Sequence, residues 1–317
     1  MSVAEHLKDM RSAPLHLTLP ATSANLGPAF DAAALAFAIS LKLSAKPALR
    51  YSIVARGRDS AICENLQDHL ILTTYREVLA SAAKAEIPLA LKIANHIPIG
   101  KGCGSSAAAR LAGIALAVHY GRLGWNDAQI VGEASRREHH PDNAAACWFG
   151  GLAVARMSSD SEAEVARIKP KGNWPLLIAI PPEPLSTERA RRVLPQEYSR
   201  EDAVTNIQNS MLLLAAFSQN RPGLLRNALR DRIHQPYRAP LCPLLPALEQ
   251  LDTLSGVLGV ALSGAGPSVL VFLDPKSPAK RVRAKVATHL AQKGLRAELL
   301  LTEVDLAGAL DTWKRRR

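Results

Sequence analysis

Pro98-Ile99-Gly100-Lys101-Gly102-Cys103-Gly104-Ser105-Ser106-Ala107-Ala108-Ala109 is the stretch that decides the fold of this chain. Glycine at three alternate positions, Gly100, Gly102 and Gly104, lets the main chain take dihedrals closed to other residues and approach a ligand with no Cβ in the way. Over residues 106–120 the larger apolar side chains Leu111, Ile114 and Val118 recur at three and four, the spacing of one helical face, with Ser105 or Ser106 as cap and Gly121 as stop. Residues 89–94 alternate as a strand does. Strand, glycine loop and helix start, in that order, form a place where free amides and the helix dipole attract anions, phosphate above all.

Two common phosphate loops are excluded. The Walker pattern needs serine or threonine after its lysine, and Lys101 is followed by Gly102. The dinucleotide fingerprint needs glycine where Ser105 stands. The loop instead resembles Pro-x-x-x-Gly-Leu-Gly-Ser-Ser-Ala of the galactokinase, homoserine kinase, mevalonate kinase and phosphomevalonate kinase superfamily, with Cys103 in the place of leucine or methionine. Upstream, Thr22-Ser23-Ala24-Asn25-Leu26-Gly27-Pro28-Ala29-Phe30-Asp31 is similar to the first motif of homoserine kinases, Ala29 replacing glycine. Downstream, His140-Pro141-Asp142-Asn143 and the later Gly150-Gly151 resemble the family's Gly-His-Pro-Asp-Asn segment. There His139 replaces glycine, and residues 144–148 replace a Val-Ala-Pro run. Two finer matches, Thr187-Glu188-Arg189-Ala190-Arg191-Arg192-Val193-Leu194-Pro195 and Gln235-Pro236-Tyr237-Arg238, resemble homoserine kinases in particular.

The pattern of helices and hairpin strands in the second half points to an α+β layer. The resemblance implies its detail: an N-terminal ATP-binding domain like a domain of a small-subunit ribosomal protein, and a ferredoxin-like C-terminal domain. The polar run Ser158-Ser159-Asp160-Ser161-Glu162 marks the expected boundary, giving domains over residues 14–160 and 161–317. In the second domain we expect strands over 175–180, 257–262, 268–273 and 297–304, and a short helix after Ser186. Further helices are expected over 202–219, 224–233 and from Ser277-Pro278 to Lys293. The helix over 202–219 carries Val204, Ile207, Met211, Leu214 and Ser218 on one face.

Phosphoryl transfer asks for held phosphates, a metal that neutralises developing charge, and an oriented nucleophile. The resemblance assigns ATP to the loop, Pro98, Gly100, Lys101, Gly102, Cys103, Gly104, Ser105, Ser106 and Ala107, with Asn65 of an Asn-Leu pair beside the adenine. It assigns Mg²⁺ to the Ser106 hydroxyl and to Glu133, with Glu138 as second choice; magnesium takes hard oxygen ligands and keeps several waters. The acceptor implied is L-homoserine, phosphorylated on its hydroxyl as a step of threonine biosynthesis. Its carboxylate suits the planar forks of Arg191 and Arg238. On this resemblance Asp31 and Asp142 would face the ammonium group, and Asn25 and Asn143 the hydroxyl; Asp142, with Asn143 and Asn25, is the expected catalytic set, Asp142 orienting the hydroxyl without abstracting its proton.

Bulk properties agree with a globular enzyme. Of 317 residues, 48% are hydrophobic and 21% charged, and no window holds the apolar run of a membrane helix. The first residues lack the apolar core of a signal peptide, so the chain reads as cytoplasmic. Cys63, Cys103, Cys147 and Cys242 lie too far apart for a zinc knuckle or a disulfide framework, and read as packing residues. The net charge of +11 is dispersed apart from Lys314-Arg315-Arg316-Arg317, and suits anionic substrates more than nucleic acid. The expected partner is a small molecule, with neither nucleic acid nor membrane, and a homodimer is left open. Two alternatives stay beside the homoserine reading: a related kinase of another small alcohol, and a kinase-fold sensor without turnover.

Overall fold

A computed structural model of the chain describes residues 14–251 and 254–314; the expected leader over residues 1–13 and the last three residues of the basic tail lie outside the described residues. The first sheet is built from β1 (Leu15–Asn25), β2 (Ala29–Pro47), β3 (Ser52–Gly57), β4 (Leu89–Asn95), β5 (Leu152–Met157) and β6 (Ala163–Ile168), in the order β3-β4-β2-β5-β6 with β1 paired to β2. In β1 the alternation Leu15, Leu17, Leu19 turns apolar side chains inward, and from Pro20 onward both faces are covered. Helices α1 (Ser60–Glu64) and α2 (Leu70–Ser81) connect β3 to its parallel neighbour β4. Helices α3 (Ser105–Tyr120), α4 (Asp127–Glu138) and α5 (Asp142–Phe149) follow, and the interior of α3 is nearly all buried alanine, leucine and isoleucine.

The second sheet has strands β7 (Pro175–Ile180), β8 (Val257–Leu262), β9 (Val269–Leu273) and β10 (Glu298–Glu303), antiparallel throughout in the order β10-β7-β9-β8. That order, with helices between the first and second and between the third and fourth strands, is the ferredoxin-like arrangement the resemblance implies. Central β7 and β9 are continuous apolar runs because helices and the other domain cover both faces. Between β7 and β8 come α6 (Thr187–Arg192), α7 (Arg200–Ser218), α8 (Leu225–Ala228), α9 (Gln235–Arg238) and α10 (Leu244–Glu249). Helix α11 (Ala279–Gln292) precedes β10, and α12 (Gly308–Lys314) ends the described chain.

Three expectations are corrected. The boundary at 160/161 falls inside a hairpin, since β6 pairs with β5 from Leu152↔Ile168 to Met157↔Ala163 and Ser158 Oγ donates to Glu162 O at 3.0 Å. The polar run is that hairpin's turn, and the sheets part over residues 169–174. Nor are the halves consecutive: Val304 bridges to Phe37, and Thr18 N donates to Thr312 Oγ1 at 3.1 Å, so the chain's end returns to the first domain. The helix expected over 224–233 stops at Ala228, and beyond it the Asp231 carboxylate accepts from the amides of Ile233 (2.9 Å), His234 (2.8 Å) and Gln235 (2.5 Å) and so starts the next turn. Finally, the face of α7 that carries Val204, Ile207 and Met211 points outward, while Asn206, Leu213, Ala216 and Phe217 point in.

Candidate active site

Gly104, not a serine, caps α3. It sits at φ 72° with no side-chain cap hydrogen bond, so the first amides of the helix have no partner within their own turn. Ser105 and Ser106 fall inside the first turn. No other residue fits at 104: an added Cβ would lie 1.9 Å from Thr22 Oγ1. Gly102 at φ 75° is confined in the same way, its Cβ position being 2.3 Å from the Ser263 carbonyl oxygen. The loop is therefore clamped from two sides. Thr22 N donates to Cys103 O at 3.1 Å, Ser263 Oγ to Gly102 O at 2.7 Å, and Ser268 N to Lys101 O at 3.3 Å.

The loop borders one cavity of about 530 Å³. Its apolar end is walled by Ile62, Ile71, Ile97 and Ile99, with Asn65 at the rim, where Asn65 Oδ1 accepts from Gln67 N at 3.0 Å. Ser105 and Ser106 line its middle together with Glu138. Ser106 Oγ donates to Glu138 Oε1 at 2.6 Å, and Arg110 Nε donates to the same oxygen at 2.5 Å.

The far end of the cavity is polar. Arg191 donates both arms of its fork to Asp31, at 2.9 and 2.7 Å, a planar bidentate pair. Asp142 is fully buried; its Oδ1 takes donors from His140 Nδ1 and Asn143 N, each at 2.6 Å, whereas Oδ2 has no partner. Burial pushes the His140 imidazole towards its neutral form, but the hydrogen bond and charge of Asp142, with help from Asp31 and Glu138, outweigh it and leave its pKa raised. Asp31, His140 and Asp142 each place a ligating atom within 4.8 Å of the others.

Arg238 is only 1% exposed, and burial, with repulsion from Arg191, lowers its pKa to about 10. Three acceptors hold it: Ala190 O (3.0 Å), His234 Nδ1 (3.2 Å) and Gly264 O (3.3 Å). The Phe30 ring lies under both guanidinium groups, at 5.5 Å from Arg191 and 5.3 Å from Arg238. His234 Nε2 is 2.8 Å from Gly27 O. Burial keeps this imidazole neutral, against the pull of Asp231. A neutral ring that donates from Nε2 to a carbonyl must accept at Nδ1, which orients the Arg238 fork.

The structure brings Asn25, Asp31, Asp142, Asn143, Arg191, Arg238, Asn65, Gly100, Gly102, Gly104, Ser105 and Ser106 to this one cavity. Glu133 is a correction. Its carboxylate is held by Arg136 (2.9 Å) and Arg137 (2.7 Å) outside the cavity, and Glu138, five residues on and so turned to another side of the helix, takes the place beside Ser106. Pro98, Lys101, Cys103 and Ala107 do not line the cavity with their side chains. Lys101 Nζ donates across the domains to Pro182 O, Ala107 is core, and Cys103 is buried with its thiol pushed up to about 12. All four cysteines are free and buried. Asn25 acts as a strut, its Nδ2 donating to Gly264 O at 2.8 Å and its Oδ1 accepting from Asp31 N at 2.9 Å.

Sequence reasoning missed two parts of the site. Thr22 Oγ1 donates to Asn143 Oδ1 at 2.6 Å and so joins the first motif to the third. The turn Ser263–Pro267 reads as an ordinary hairpin, yet its Gly264 carbonyl accepts from both Asn25 and Arg238. Only the glycine density of that turn hinted at a close approach.

A helix start with free amides, a serine–carboxylate pair and a polar end with two arginines and two aspartates share one cavity, the kind of site a small-molecule kinase has. Family models agree: residues 69–151 match the GHMP kinases N terminal domain and residues 213–292 match the GHMP kinases C terminal domain. The chain is 43% identical over 259 residues to the homoserine kinase of Solibacter usitatus, covering 82% of this chain and 85% of that one. It is 33% identical over 297 residues to the homoserine kinase of Deinococcus radiodurans, covering 94% and 96%. In fold it is similar to the crystal structure of homoserine kinase from Cytophaga hutchinsonii, with TM-score 0.79 at 21% identity, covering 94% and 97%. The chain belongs to the homoserine kinase family. Among the described residues no helix is long and apolar enough to cross a membrane.

Proposed function

We propose that this chain transfers the γ-phosphoryl group of ATP to the side-chain hydroxyl of L-homoserine, giving O-phospho-L-homoserine, as a cytoplasmic enzyme of threonine biosynthesis. The observation that carries the proposal is the single cavity with a phosphate-binding helix start at its middle and, at one end, two arginines and two aspartates. Arg238 meets the amino acid's carboxylate, with Arg191 beside it; Asp31 and the unpaired Oδ2 of Asp142 meet its ammonium group. An acceptor without a carboxylate would leave Arg238 as a buried charge with no anionic partner beyond protein dipoles.

Ser106 and Glu138 offer the hard oxygens that suit Mg²⁺, and would hold it, where it neutralises charge on the triphosphate. The free amides at the start of α3 hold phosphate oxygens, and Ile62, Ile71, Ile97 and Ile99 shelter the adenine. Asp142 orients the acceptor: its Oδ1 is occupied by two donors, and the task left to the site is alignment and charge stabilisation. The test is an ADP-release assay of the purified chain against homoserine, serine, threonine, mevalonate and galactose. Homoserine is expected to give the highest kcat/KM. Faster turnover of mevalonate or a sugar, or ATP binding without any ADP release, refutes the proposal.

A further inference from the structure

Strand register gathers positive charge that is scattered in sequence. His16, Lys42, Lys46, Arg56 and Lys92 are all exposed, and in β1 to β4 they alternate with inward residues such as Leu17, Leu43, Ile53 and Leu91. The pairings Ser44↔His16, Ser44↔Lys92 and Lys92↔Val54, with Lys42↔Ala94, Ala94↔Arg56 and Lys46↔Ala90, put all five on one face of the first sheet, the side opposite the core. Lys92 is at the centre, with Arg56, Lys42 and Lys46 as its diagonal neighbours, each about 7–8 Å away. The positions between them, Thr18, Ser44, Ser52, Val54, Ala90 and Ala94, include neither a carboxylate nor an aromatic ring. Close by, cations are balanced, Arg58 by Glu298 at 2.5 Å and Arg76 by Glu86 at 3.1 Å. Among the described residues Lys42, Lys46, Lys92 and Arg56 form no ion pair. Like charges at this spacing repel inside the roughly 10 Å screening length of 0.1 M salt, and an anionic partner relieves that repulsion.

We propose that this face binds the phosphate backbone of single-stranded RNA without reading its bases. Lysine and arginine meet phosphates as charges, and a face with no aromatic ring offers the bases nothing to stack on. The right-handed twist of a sheet suits a pliable single strand better than a stiff duplex. Between the cations, the hydroxyls of Thr18, Ser44 and Ser52 offer partners to the 2′-hydroxyl that DNA lacks. A lipid surface would need apolar side chains to insert, and Val54 alone is a large one here. None of the five basic residues lines the catalytic cavity, so RNA and ATP bind independently of each other.

Fluorescence anisotropy of a labelled single-stranded RNA of about 20 nucleotides, titrated with the purified full chain at several salt concentrations, tests this. A dissociation constant of about 1–100 µM is expected at about 50 mM salt, with a slope of log association constant against log salt near −3, as four phosphate contacts give. Lys42→Glu combined with Lys92→Glu is expected to weaken binding at least about tenfold and to halve the slope, while ADP release with homoserine is unchanged. The milder pair Lys42→Gln and Lys92→Gln is expected to move both values the same way. Uridine and adenine homopolymers are expected to bind alike, DNA of the same length at least about threefold more weakly, and saturating ATP is expected to displace nothing. A chain ending at Lys314 is expected to bind as the full one does. No binding, binding indifferent to both lysine pairs, displacement by ATP, or loss with the last three residues overturns the proposal. Capture of phosphatidylserine vesicles without RNA binding, or DNA bound as tightly as RNA, overturns the choice of partner.

Discussion

Replacing His234 with leucine isolates what orients the acceptor end of the site. The ring is fully buried, 2.8 Å from Gly27 O at one nitrogen and 3.2 Å from Arg238 Nη1 at the other, and it stacks on Phe30 at 5.3 Å. Leucine keeps most of the volume but strands two buried polar groups, a carbonyl and one guanidinium N–H. Each costs about 1–3 kcal/mol, the charged donor lying towards the upper end. Arg238 keeps its bonds to Ala190 O and Gly264 O, so the fork turns but stays in place. We therefore expect the KM for homoserine to rise about 10- to 100-fold, equivalent to about 1.4–2.8 kcal/mol, with the KM for ATP changed by less than about twofold. His234→Gln, whose amide N–H can reach the Gly27 carbonyl, is expected to fall between leucine and wild type. The assay is steady-state ADP release with each substrate varied at saturation of the other. A folded leucine variant with an unchanged homoserine KM, or one in which the ATP and homoserine values rise together, refutes the role given to His234.

Three other outcomes follow from the same geometry. Glu138→Gln is expected to raise the Mg²⁺ concentration for half-maximal rate by at least about tenfold, whereas Glu133→Gln leaves it unchanged; magnesium titrations of both decide between the two carboxylates. Gly104→Ala forces Cβ against Thr22 Oγ1 at a φ of 72° and is expected to cost about 2–4 kcal/mol of stability and most ATP binding. Gly294→Ala, at φ 69° with open space around it, is expected to cost about 1 kcal/mol, and denaturant unfolding of the two tells crowding from backbone strain. Because burial holds the His234 pKa below that of a free imidazole, the unfolded chain binds the extra proton first as pH falls below about 6.5. Stability is then lost with falling pH in that window, and urea midpoints at pH 7.5 and 5 are expected to differ less in His234→Gln than in wild type.

Short-range patterns account for much that was legible. The run Pro175–Ile180 is a strand with the bounds expected of it, and Val257–Leu262 likewise, because a continuous apolar segment of six residues between turn residues is too short for a helix and fits a buried strand. Ser186 caps its helix by accepting from Arg189 N at 3.2 Å, a bond made within four residues. Long-range pairings were not legible. The run Ser158–Glu162 looks like a linker, and only the β5–β6 pairing makes it a turn. Glu133 and Glu138 are both carboxylates on the last turns of α4, and which one faces Ser106 depends on how α4 is rotated against α3. The apolar stripe of α7 has a clear period, but a period does not say which side of a helix meets the core.

Residue order within a dozen positions was enough to place the glycine loop, the helix that follows it and the chemical types around them, since dihedral freedom and helical period are local properties. Contacts across the fold chose Gly104 as the cap, turned Asn25 into a strut, joined Thr22 to Asn143 and seated Arg238 on His234 and Gly264. Those bonds link residues as much as 239 positions apart, and their geometry exists only once distant elements have packed against each other.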